Sequence, residues 1–140
     1  GVEAIMLDDL REMNFGRYEG EAYIEPPEGG LTFVMKIIFL VKMVIAQLTG
    51  ESLGSVKSRA RRAWQKIADA YPEGRILIIA HGVILSALLS QLLLPREYRK
   101  LKPVYLKPCS LTELLVQRTG AAKVVRLDDC RHLQALDCSD

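Results

Sequence analysis

A chain of 140 residues, 49% hydrophobic and 26% charged, has the make-up of one globular domain with a core of its own. That composition excludes a disordered or fibrous protein, and a net charge of +2 demands no polyanionic partner. Three cysteines without regular spacing argue against a disulfide framework and for a reducing compartment, so a cytoplasmic location is expected.

The N-terminus carries neither the basic nor the apolar region of a signal peptide, and it opens on Gly1 as a cut or processed end would. Residues 2–7 are mostly apolar and closed by Asp8-Asp9, which predicts a strand. Residues 10–20 (LREMNFGRYEG) read as a loop, and residues 20–30, with Pro26-Pro27 and Gly29-Gly30, as irregular chain. Residues 31–48 are long and apolar, but Lys36 and Lys42 interrupt them, leaving no span near the roughly 20 residues that a bilayer needs. The two lysines do not share a helix face, so a buried or interface helix is expected, either a flap over a site or a dimer contact.

Ser52 is a good N-cap for the next helix, whose buried stripe is Leu53, Val56, Ala60, Ala63, Ile67 and Ala70. Lys57, Arg59, Arg61, Arg62 and Lys66 read as a solvated basic face, and no nucleic-acid partner is expected. Residues 71–74 (YPEG) stop that helix. Residues 76–80 (ILIIA) are too few for a helix and suit a strand buried on both faces. They break at His81-Gly82, after which an apolar helix runs to Leu94. Strand, turn and helix place a ligand beyond the strand's carboxyl end, where the helix's first N–H groups favour an anion. His81 at that junction is either an anion ligand or a satisfied core histidine, and Gly82 admits a close backbone approach.

Residues 96–102 are short and charged, and Pro103 and Pro108 bracket an irregular passage. Residues 110–116 and 123–127 predict two strands joined at Thr119-Gly120 as a hairpin, with residues 128–140 a loose tail. Cys130, His132 and Cys138 match no common zinc spacing, so no metal is expected there.

Three stretches in order resemble the histidine phosphatase superfamily, with its phosphoglycerate mutase-like fold: residues 10–20, Gly50-Glu51-Ser52 with the helix carrying Arg59, and residues 78–82 (IIAHG). The resemblance extends over about residues 2–127 and implies an α/β fold, a three-layer sheet flanked by helices, in a single partial domain spanning residues 1–140. It is nearest in feel to small bacterial-type phosphatases, α-ribazole phosphatase-like and broad-specificity members among them. In such enzymes a first histidine attacks phosphorus, arginines and a second histidine hold the phosphoryl oxygens, and a carboxyl group protonates the leaving oxygen. The resemblance makes His81 the second histidine, with Gly82 beside the phosphate, and Glu12 the proton donor. No cofactor or metal is implied, and the partner is a small phosphorylated metabolite.

The departures are specific. The family's nucleophile lies in an Arg-His-Gly motif on a central first strand, whereas the histidines here are His81 and His132. An arginine expected before residue 10 is absent, Ser86 stands where many relatives carry arginine, and Pro108-Cys109-Ser110 replaces an asparagine-led turn. The chain reads as beginning about one-third into the family's length and lacking that strand, which would leave a buried sheet edge open. The expectation is a phosphomonoester hydrolase inactive as this chain. The alternatives are a non-catalytic interaction module, with a homodimer or strand-exchanged oligomer through residues 31–48, and a phosphoglycerate mutase-type phosphotransferase. No membrane partner is expected.

Overall fold

The computed structural model describes residues 3–20, 33–93, 106–117 and 120–133. The predicted irregular passages at residues 21–30 and 96–103, the end of the tail at 134–140 and Cys138 lie outside them. The chain forms two compact units, Met13–Val56 on one hand and Gly1–Glu12 with Lys57–Asp140 on the other.

In Met13–Val56, a 3-10 turn at Gly16–Tyr18 packs on helix α1, Phe33–Thr49. The aromatic ring of Tyr18 receives the Lys42 ammonium 5.3 Å from its centroid, a cation–π contact. Helix α1 forms where residues 31–48 were read as helical, yet it is not a buried one. Ala46 is buried, whereas Phe33, Val34, Ile37, Ile38, Leu40, Val41, Val44 and Leu48 are exposed. Among the described residues, no single helix is long and apolar enough to cross a membrane.

Helix α2, Leu53–Ala70, begins in that unit and has its remaining turns in the other. Ser52 caps it as expected, its hydroxyl oxygen accepting the Ser55 N–H at 3.2 Å. The Ser55 hydroxyl in turn donates to Glu51 Oε1 at 2.9 Å. Val56, Ala60, Ala63 and Ile67 are buried, while Leu53 and Ala70 at the two ends are exposed. The predicted stripe therefore holds through its middle and is exposed at its two ends.

Helix α3, Gly82–Leu92, buries Ile84, Ala87, Leu88, Leu89 and Leu92, which is why an almost wholly apolar helix is stable here. It ends two residues short of the predicted limit, and the Leu93 N–H still reaches the Leu89 carbonyl at 3.0 Å. Strands β1, Leu111–Val116, and β2, Ala122–Asp129, form the antiparallel hairpin that the Thr119-Gly120 signal predicted. Gly120 takes φ +83°, a left-handed conformation that glycine adopts without steric cost. Glu113 faces Arg126 across the strands with an ion pair of 3.3 Å. A bulge interrupts the register near Glu113, where the Asp128 N–H donates to Thr112 Oγ1 at 3.1 Å.

Two predicted strands do not form. Residues 3–7 and 75–80 are neither helical nor paired with any other described segment, and the described sheet has two strands, β1 and β2. Residues 76–80 were expected to be buried on both faces, but Leu77 is 77% and Ile79 85% exposed. The physical reason is that an apolar run becomes a strand only when neighbours accept its N–H and C=O groups, and no described segment does so. Helices and a small sheet are compatible with an α/β fold. The tail also differs from its expectation at its start: residues 128–129 belong to β2, and Arg131–Leu133 forms a 3-10 turn. The Arg131 guanidinium grips both carboxylate oxygens of Asp129 and holds that carboxyl well below its usual range.

Candidate functional site

Helix α3 opens directly after His81, which is its N-cap with extended backbone angles, and the His81 side chain does not itself cap the helix. The unpaired N–H groups of the first turn are instead met by Glu12. Its carboxylate accepts the Val83 N–H at 3.2 Å through Oε2 and the Ile84 N–H at 3.3 Å through Oε1. A carboxylate thus occupies the anion-favouring end of α3, the helix whose N-cap is His81. His81 and Gly82 are both exposed there. An added Cβ at Gly82 would lie 3.7 Å from the Leu106 carbonyl oxygen, an ordinary contact, so packing within the chain does not demand glycine.

Glu12 is held in place from below. The Arg59 guanidinium, in a residue only 4% exposed, donates to the carbonyl oxygens of Asp9 (3.0 Å), Arg11 and Glu12 (3.1 Å). Three bonds from one rigid fork fix the backbone of the loop that carries the carboxylate. Asp9, next along that loop, is anchored to α2 by Arg62 (3.0 Å) and Lys66 (2.9 Å). The hydrogen bond from Lys66, aided by Arg62, lowers the Asp9 pKa below the usual carboxylate range. The sign follows: this tether is present above the ordinary aspartate pKa and is lost as pH falls through the depressed one.

Composition groups Arg59 with Lys57, Arg61, Arg62 and Lys66 as a solvated basic face, but the Arg59 guanidinium is buried and structural. A signal was present. Position 59 lies three residues after Val56 and four before Ala63, inside the stripe that the periodicity marked as buried.

In Met13–Val56 the glycines of the two motif segments meet backbone to backbone. The Glu51 N–H donates to the Asn14 carbonyl at 2.8 Å, and Asn14 Oδ1 accepts the Gly16 N–H at 2.7 Å. Thr49 Oγ1 donates to the Ile45 carbonyl and accepts the Arg17 N–H at 3.3 Å. A Cβ on Gly50 would collide with the Asn14 carbonyl oxygen and stand 2.5 Å from the Gly16 nitrogen. Backbone cannot retreat as a side chain can, so Gly50→Ala is expected to destabilise the fold by about 1–3 kcal/mol. Gly54→Ala is the control. Its added methyl meets nothing closer than Ser52 Oγ at 3.8 Å, and helix propensity favours alanine by roughly 0.5–1 kcal/mol. Thermal unfolding of both variants checks this, and equal melting temperatures would contradict it.

Residues 1–129 match the family model of the histidine phosphatase superfamily (branch 1). The chain belongs to that superfamily. Neither the curated proteins nor the solved structures yield a match. In this histidine phosphatase chain the motif positions acquire distinct physical duties: Gly16 and Gly50 permit the backbone docking, Arg59 fixes the loop, and Glu12 reaches the end of α3. The open clefts along the hairpin lie elsewhere. One, of about 540 Å³, is lined by Cys109, Ser110, Arg126, Asp129, Arg131 and His132, and neither it nor its neighbour includes Glu12, His81 or Gly82. The candidate site therefore rests on hydrogen-bond geometry rather than on enclosed volume.

Proposed function

We propose that this chain supplies the proton-donor and phosphate-holding half of a phosphomonoesterase site that acts on a small phosphorylated metabolite. The observation that carries the reading is the Glu12 carboxylate seated on the first turn of α3, the helix that opens directly after His81. Backbone N–H groups and an imidazole at that terminus attract phosphoryl oxygens, and the Glu12 carboxyl is positioned to protonate a departing alkoxide. Water then needs a base to attack the phosphoenzyme, and the same carboxylate, now deprotonated, takes that proton. Superfamily membership supports a phosphatase or mutase chemistry of this kind.

The nucleophilic histidine is the missing participant. Within these 140 residues no Arg-His-Gly sequence occurs, and the two histidines are His81 and His132. Residues 75–80, which pair with no other described segment, support the further reading that an additional strand, bearing that motif, completes both sheet and site beside His81. On this reading the 140-residue chain alone hydrolyses an aryl phosphate no faster than background. Joining it to a segment with an Arg-His-Gly strand yields turnover that vanadate inhibits. Vanadate-sensitive turnover by the chain alone would place a nucleophile among these residues and refute the division. A folded, extended chain without activity would instead favour a non-catalytic interaction module, the second reading, which the exposed apolar surface of α1 supports.

A further inference from the structure

Helix α1 displays a spacing that its composition conceals. Val34, Ile37, Val41, Val44 and Leu48 follow one another at intervals of three, four, three and four residues, the pattern of the a and d positions of a coiled-coil seam. Every one of the five is exposed: Val34 63%, Ile37 46%, Val41 50%, Val44 47% and Leu48 80%. Phe33, Ile38 and Leu40, also exposed, widen the seam on both sides. Lys36 and Lys42, the charged residues of α1, fall outside these eight positions in the repeat. Ala46, the buried residue among the described side chains of α1, occupies the opposite side of the heptad. At those exposures the eight residues present on the order of 700 Å² of apolar surface. That exceeds the roughly 300–600 Å² of the largest patch on an ordinary monomer. It approaches the ~800 Å² that each partner contributes to a standard interface.

We infer that α1 pairs with α1 of a second copy of this chain through this seam. A three-four spacing is complementary to another helix with the same spacing. The absence of charge within the seam means that pairing leaves no ion desolvated. Val41 lies midway along the seam, seven residues from both Val34 and Leu48. In a parallel two-fold pair, where each a position faces the same a position, it therefore meets its own copy. The inference does not depend on the phosphatase reading, because no residue of the α3 terminus takes part.

Sedimentation equilibrium of the full chain tests it, with a mass of twice 15.7 kDa expected at micromolar concentration. Val41→Asp is expected to raise the dimer dissociation constant at least tenfold while the far-ultraviolet helical signal persists, since the residue it replaces is half exposed. Should Val41→Asp fail to fold, cross-linking replaces it. In a chain with Cys109, Cys130 and Cys138 changed to Ser, Val41→Cys forms an intermolecular disulfide rapidly on mild oxidation and Lys42→Cys does so at least tenfold more slowly. A monomeric wild-type chain, a dimer indifferent to Val41→Asp, or equal cross-linking at both positions overturns the inference. So does a monomer that co-sediments with phosphatidylcholine–phosphatidylglycerol vesicles, which would make the seam a lipid contact.

Discussion

In the chain completed by an Arg-His-Gly segment, Glu12→Gln is expected to slow hydrolysis of an alkyl phosphate by about 10²–10⁴-fold. The same substitution should affect p-nitrophenyl phosphate far less. An alkoxide leaves only with a proton, whereas a nitrophenolate is stable without one, so the loss of a proton donor falls on the first substrate. Glutamine is the right replacement because its carbonyl oxygen still accepts an N–H from the α3 terminus, as Glu12 does from Val83 and Ile84. Helix capping is then largely kept while the acidic proton is removed. Initial rates on the two substrates decide the matter. An equal loss on both would assign Glu12 to binding or capping and remove it from the chemistry.

Arg59→Met should be the most damaging change in α2. It strands the carbonyl oxygens of Asp9, Arg11 and Glu12, which the buried guanidinium now satisfies. Each buried acceptor left without a donor costs about 1–3 kcal/mol. Allowing for water reaching part of the loop, a net loss of about 3–5 kcal/mol is expected, a large share of the 5–15 kcal/mol that holds a typical domain. For a chain of this size that corresponds to a fall in melting temperature on the order of 10–20 °C. Arg59→Lys should recover only part, because an ammonium cannot reproduce the planar fork. Arg61→Ala, two residues away on the exposed side, should shift stability by less than about 0.5 kcal/mol. Circular dichroism melts of the three variants test the contrast. Equal effects at positions 59 and 61 would mean that the clamp carries no stability.

That contrast also shows what a single sequence can and cannot disclose. Features governed by local chemistry were legible: the Ser52 cap, the hairpin turn with its left-handed Gly120, and the stripe of Val56, Ala60, Ala63 and Ile67. Each depends on residues within a turn or two of one another. Arg59 was misread because what distinguishes it from Arg61 is a set of carbonyl groups some 47 residues away, which residue type does not announce. Residues 76–80 were read correctly as apolar and wrongly as buried, since burial of a strand is conferred by its neighbours rather than by its own side chains. Helix α1 resisted a simple amphipathic reading because apolar residues surround it, and the three-four seam stands out only once exposure marks which of them lack cover. In the candidate site, the meeting of Glu12 with α3 was implied by resemblance alone. No local pattern joins residues 12 and 83.

The carboxylate resting on the first turn of α3 has one more consequence. It is a resident tenant, tied to the same chain and so present at a local concentration that dilute solutes do not match. Chloride and small carboxylic acids, bearing a single charge like Glu12 itself, gain little by displacing it. A phosphate dianion brings twice the charge and more acceptor oxygens to the same donors. On the proposed reading of the site, the empty state is thus already filled by a decoy. The helix end answers chiefly to ligands that outbid a carboxylate, and when such a ligand departs the decoy resumes its place.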